Sequence, residues 1–128
     1  MALQHVKGNT WVYEGSTALM PLYMVKENEA VIIDTGFAKT DREGLTKLFD
    51  EAVTLRGIIC THAHFDHITG IAELQKIFPN LPVYIHSEDR MMFGHPFNQM
   101  PGEYASIGVP ANIRDVNELK IFEIIHTP

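Results

Sequence analysis

An α/β fold, a mixed β-sheet with helices packed on it, is predicted by three features of this 128-residue sequence. The first third is rich in short β-prone runs. Two later stretches place apolar residues at helical spacing. Short, nearly continuous apolar runs separate them, as expected of strands covered on both faces.

Taken in order, Trp11-Val12-Tyr13 is a strand ended by Glu14-Gly15-Ser16. Leu19 to Val25 is a second and Ala30-Val31-Ile32-Ile33 a third, with Lys26-Glu27-Asn28-Glu29 as the polar turn between them. The third stops at the loop signal Asp34-Thr35-Gly36. Thr40 and Glu43 form a capping box for a helix whose stripe is Leu45, Leu48, Phe49 and Ala52. Gly57 to Cys60 is a buried-type strand. Ile71, Leu74, Ile77 and Phe78 then make a second helical stripe, ended by Pro79-Asn80, with Thr69 as its N-cap. Val83-Tyr84-Ile85 is another strand, and Ser87 is placed to cap a short helical turn through Met92. Glycines and prolines between Gly94 and Pro110 predict irregular structure, and Ile121 to Ile125 a last strand. Residues 1–128 read as one domain.

Sixteen acidic and ten basic residues give a net charge of −6, which argues against a nucleic-acid surface built on clustered Lys and Arg. No apolar run approaches the roughly 18 residues of a membrane span. The opening Met1-Ala2-Leu3-Gln4-His5-Val6-Lys7 shows no secretory pattern, and a lone Cys60 fits a reducing compartment, so a cytoplasmic protein is expected. The compositional outlier is histidine, with seven in the chain and three of them packed between His62 and His67.

That cluster is Thr61-His62-Ala63-His64-Phe65-Asp66-His67, at the carboxyl end of a strand, where open sheets build their sites. In extended chain His62 and His64 point to one side and can share a cation. Asp66 and His67 fall where the chain turns toward the next helix and can meet a second. Imidazole and carboxylate suit zinc, and also iron, manganese or nickel. Two such ions about 3.5–4 Å apart can hold a bridging hydroxide and polarise the bond it attacks. Asp66 is the candidate catalytic group, able to orient that hydroxide or take its proton. The competing bland reading is a polar loop whose histidines cap the following helix.

His62-x-His64-x-Asp66-His67 after an apolar strand, with Asp34-Thr35-Gly36 upstream, resembles the metallo-β-lactamase superfamily of metal-dependent hydrolases. The resemblance implies an αββα sandwich of two similar halves with a dinuclear zinc site at the sheet edges between them. It places His62 and His64 in the first metal site and Asp66 and His67 in the second, with Asp34 supporting the loop from behind. Histidine at position 64, where oxygen-reducing di-iron relatives carry Glu, favours hydrolysis over redox chemistry. Thr69-Gly70 stands where the family usually has two glycines. The segment Ile124-Ile125-His126-Thr127-Pro128 looks like the opening of the next family signature, normally continued by Gly and a metal-binding His. The chain is therefore expected to be the N-terminal half of such a hydrolase, with His126 not a ligand.

The resemblance implies an ester, thioester, lactone or similar small-molecule substrate. A second reading is a non-catalytic metal-binding or self-assembling half-domain. A half-sandwich leaves one sheet face uncovered, which predicts a homo-oligomer or a covering C-terminal half. A nuclease is the third reading, lowered by the acidic charge. Of the remaining candidates, His86 reads as a strand-end histidine bonded to backbone, His95 as a loop residue and Cys60 as an inert buried thiol. Met91, Met92, Phe93, Phe97 and Met100 read as loop packing rather than a substrate wall.

Overall fold

The computed structural model describes residues 3–14, 19–35, 53–61, 70–93, 110–120 and 122. They form one sheet of seven strands whose spatial order equals their chain order: β1 (Leu3–Lys7), β2 (Thr10–Glu14), β3 (Leu19–Lys26), β4 (Glu29–Ile33), β5 (Thr54–Ile59), β6 (Val83–Ile85) and β7 (Ile113–Asp115). The β1 to β4 pairings are antiparallel; those from β4 to β7 are parallel. A helix, α1 (Ile71–Ile77), joins β5 to β6, and 3-10 turns span Arg90–Met92 and Val116–Glu118. Among the described residues no helix is long and apolar enough to cross a membrane.

The turn between β1 and β2 has a local cause. Gly8 takes φ +54 between β1 and β2, a conformation open to glycine at little cost. Next to it, Asn9 bonds twice to the backbone of Met24 on β3, its carbonyl accepting from Met24 N–H at 2.8 Å and its side-chain Nδ2 donating to Met24 O at 2.9 Å. The hairpin is thus tied to the third strand as well as to itself.

Both faces of the central strands bury side chains, one of them more fully than the other. On one face Leu22, Ala30, Ile32, Ile58, Cys60, Val83 and Ile85 pack with Ile71 and Leu74 of α1. On the other, Val31, Ile59 and Val116 are buried against half-buried Tyr23, Val25, Ile33, Tyr84, Leu119 and Phe122, the Tyr23 and Phe122 rings meeting edge-on at 4.8 Å. Ala30, Val31 and Ile32 are wholly buried, as the continuous apolar run predicts.

The structure adds two strands and moves two caps. β1 pairs although its sequence alternates poorly, because β2 supplies a ladder for it. β7 pairs with β6 although it is short and polar. The reason lies in α1: Gln75 Nε2 donates to Ala111 O at 2.7 Å and to Leu81 O at 3.1 Å, and its Oε1 accepts from Ala111 N–H at 3.3 Å. The Gln75 amide therefore holds the chain entering β7, and the Asn112 amide adds a bond to Asn80 O at 2.7 Å. The cap of α1 is Gly70 rather than Thr69, and the turn at Arg90–Met92 begins from Asp89 rather than Ser87, neither with a side-chain cap bond. The helix expected after Thr40 lies outside the described residues, as does the last strand apart from Phe122.

Candidate metal centre

His62, His64, Asp66 and His67 lie outside the described residues, as do His95, Phe97, Met100 and His126. Among the described residues no group of three potential ligands comes together. What the structure describes is the frame from which the motif-bearing segment leaves and to which it returns.

That frame is the carboxyl edge of the parallel strands. The Asp34 N–H donates to Ile59 O at 2.8 Å, adding one rung to the β4–β5 ladder, and the chain then turns abruptly with Asp34 at φ +58. This left-handed conformation is tolerated by Asp better than by most side chains. Its consequence is a carboxylate facing the end of β5. Asp34 Oδ1 accepts from the Thr61 backbone N–H at 2.8 Å, and Oδ2 accepts from Thr61 Oγ1 at 2.6 Å. Bonds to an ionised carboxylate are shorter and stronger than neutral ones. Thr61 is the residue immediately before His62, so Asp34 grips the entry to the motif.

The next residue, Thr35, is fully buried against Gly70, where the chain enters α1. Thr35, Thr61 and Gly70 escape a reading that looks for ligands, because threonine and glycine bind no zinc. Their signal was positional: two hydroxyl residues, each ending an apolar strand beside a candidate site residue, Asp34 or His62.

The rest of the edge is polar and ordered. Continuing the register Ile58↔Val83 and Ile59↔Tyr84 by two places sets His86 beside Thr61 on the neighbouring strand. His86 Nδ1 accepts the Glu88 backbone N–H at 3.2 Å, the backbone-bonded state expected of it. The Asp115 carboxyl is held below its ordinary range, first by the Asn117 backbone N–H. Partial burial opposes this, and the Asn117 amide and His86 add to it. Cys60 is 4% exposed on the helix side of β5, and burial, with the Asp34 charge second, pushes its thiol far above the usual range. Such a thiol is a packing group rather than a nucleophile.

A mixed sheet with its polar edge at the ends of parallel strands is the architecture of one layer of an α/β sandwich. A family model for the metallo-beta-lactamase superfamily matches residues 21–128, and the chain belongs to that superfamily. It is 35% identical over 96 residues to a hydroxyacylglutathione hydrolase of Pectobacterium carotovorum subsp. carotovorum, covering 68% of this chain and 36% of that protein. A second such hydrolase, from Synechococcus sp., is 30% identical over 112 residues, covering 77% and 42%. The chain thus spans well under half the length of these relatives. Among solved structures, the B3 metallo-beta-lactamase BLEG-1 aligns with a TM-score of 0.56 at 31% identity, over 75% of this chain and 47% of that one. The metallo-beta-lactamase SMB-1, at 17% identity, shares the fold with a TM-score of 0.65 over 91% and 47%.

Proposed function

We propose that residues 1–128 are the N-terminal half of a metal-dependent hydrolase acting on a small thioester, ester or lactone, with His62, His64, Asp66 and His67 as cation ligands. The carrying observation is the pair of bonds from Thr61 to Asp34, which anchors the chain one residue before the first ligand. The donor set fits zinc, with iron or manganese as alternatives, since all four groups are nitrogen or oxygen donors common at such sites. Zinc, when bound there, would supply Lewis acidity and a water acidified toward neutral pH.

The chain's own residues have distinct tasks in this reading. Asp34 holds the entry of the ligand segment through Thr61. Asp66 orients the attacking water or accepts its proton. Thioesters lead the substrate classes because two matched relatives carry the name hydroxyacylglutathione hydrolase. A cytoplasmic location fits a single cysteine kept as a buried thiol.

The test is elemental analysis of the zinc-reconstituted chain, followed by assay with an acyl-glutathione thioester and a lactone. Zinc uptake with hydrolysis supports the proposal, and failure to retain any metal overturns it for residues 1–128. A second reading, a self-associating metal-binding half-domain without turnover, is favoured by the half-buried Tyr23, Val25, Ile33 and Tyr84 on one sheet face. Sedimentation separates the two: a dimer that binds zinc and hydrolyses nothing supports the second, a monomer removes it.

A further inference from the structure

Both ends of the motif-bearing segment close on one dipeptide. Asp34 takes the entry at Thr61, and Thr35 takes the exit at Gly70. A Cβ placed on Gly70 would lie 2.9 Å from Thr35 Cβ, 3.0 Å from its Oγ1 and 3.1 Å from its carbonyl oxygen. Contacts this short force a neighbour to shift, and none of these three atoms is the far end of a flexible side chain. Gly70 itself has φ −77, which any residue adopts, so space and not backbone conformation demands glycine there. Gly8 is the converse case, with φ +54 and nothing within 4 Å of a Cβ.

We propose that Thr35 and Gly70 are positioning residues for the cation site, their contact fixing where the ligand segment re-enters α1. The inference rests on the metal reading above. Residues 62–69 contain all four donors, and their two ends are set by consecutive residues leaving one strand. A segment closed at both ends loses less freedom when it wraps an ion, and its ligands start nearer their bound geometry.

The experiment is calorimetric titration of the whole chain with zinc, alongside thermal unfolding of the zinc-free protein. Gly70→Ala is expected to weaken zinc binding by at least about tenfold, the usual consequence of disturbing groups behind the ligands. Gly8→Ala is expected to lower the zinc-free unfolding midpoint while leaving zinc affinity within about twofold, because distant sites act independently. Thr35→Ser, which keeps both side-chain contact atoms, should retain wild-type affinity. Should Gly70→Ala fail to fold, Thr35→Ala loosens the same contact from the other side and should weaken zinc binding severalfold. Wild-type affinity in both Gly70→Ala and Thr35→Ala overturns the inference and leaves the metal reading standing. Absence of zinc uptake by the wild-type chain overturns the metal reading and this inference with it.

Discussion

Strands β4 and β5 carry polar contacts at both ends, and the two ends are built on different terms. At the amino end Glu29 Oε2 stands 3.8 Å from Lys26 Nζ and 3.9 Å from Arg56 Nη1, beyond hydrogen-bond reach, with the cations largely in solvent. At the carboxyl end Asp34 takes two donors from Thr61 at 2.8 and 2.6 Å. Two full charges meeting a third do less here than a carboxylate meeting an amide and a hydroxyl. Short distance and fixed geometry decide, because exposed ion pairs are screened and must immobilise long side chains. The fold places its rigid end where the candidate ligands begin.

The largest effect should come from removing the rigid end. Asp34→Ala deletes both bonds to Thr61 and leaves a residue poorly suited to φ +58. A loss of about 3 kcal/mol in unfolding free energy is expected, since each bond to a charged group contributes about 1.5–3 kcal/mol. Zinc affinity should fall about 10–100-fold. Asp34→Asn, which keeps an acceptor for the Thr61 N–H and tolerates the left-handed backbone, should lose less on both counts. Chemical denaturation with zinc titration measures both, and equal losses from Ala and Asn would remove the special status of this end.

Next in size is the clamp at the entry to β7. Gln75→Ala removes three bonds to the backbones of Leu81 and Ala111, at a cost of about 1–2 kcal/mol. Hydrogen exchange at Val83 N–H, which bonds Asn112 O at 3.1 Å, should speed up well before exchange at Ile58 does. Uniform acceleration across the sheet would mean that β7 is not held locally.

These two clamps show what the sequence discloses and what it withholds. Short β-prone runs revealed β2 and β3, and nearly continuous apolar runs revealed β4 to β6, because a strand covered on both faces has to be apolar throughout. The β4–β5 register was hidden by a shift: Ala30 pairs with Leu55 but Val31 with Gly57, leaving Arg56 as an extra residue. That bulge puts Leu55 and Ile58 on one face three residues apart, which breaks the alternation a reader counts. β7 was illegible because its partner group, the Gln75 amide, is 36 residues away from Ala111. At the site, ligand chemistry made His62, His64, Asp66 and His67 visible as candidates. The frame of Thr35, Thr61 and Gly70 does its work through contacts 27 or more residues apart, and no local pattern reports those.

A smaller effect tests the packing beneath the edge. Cys60 sits next to Thr61 in the chain but faces the helix-side core at 4% exposure, and burial holds it as the neutral thiol. A thiol reagent at mildly alkaline pH should label it only at the rate of chain opening, so labelling should accelerate in Asp34→Ala and stay at the wild-type rate when Glu29 is altered. Rapid labelling of the native protein would place Cys60 in solvent and undo the division between its two sides.

The smallest expected change is at the amino end itself. Glu29→Gln keeps the size and polarity of the side chain and removes the charge facing Lys26 and Arg56. The Oε2 atom is shielded from solvent and has no hydrogen-bond partner among the described residues, so its charge is desolvated without a directional bond to offset the cost. Attraction to two cations near 4 Å and this desolvation oppose each other, and the net change should lie within about 0.5 kcal/mol of zero. Salt should shrink even that difference, since both cations are exposed and within a Debye length of bulk ions. Urea denaturation at low and high ionic strength measures it. A salt-sensitive loss above about 1 kcal/mol would exceed the usual range of an exposed pair. It would make the Glu29 cluster a second anchor of the β4–β5 pair, and the asymmetry between the two ends would then lie in their chemistry rather than in their strength.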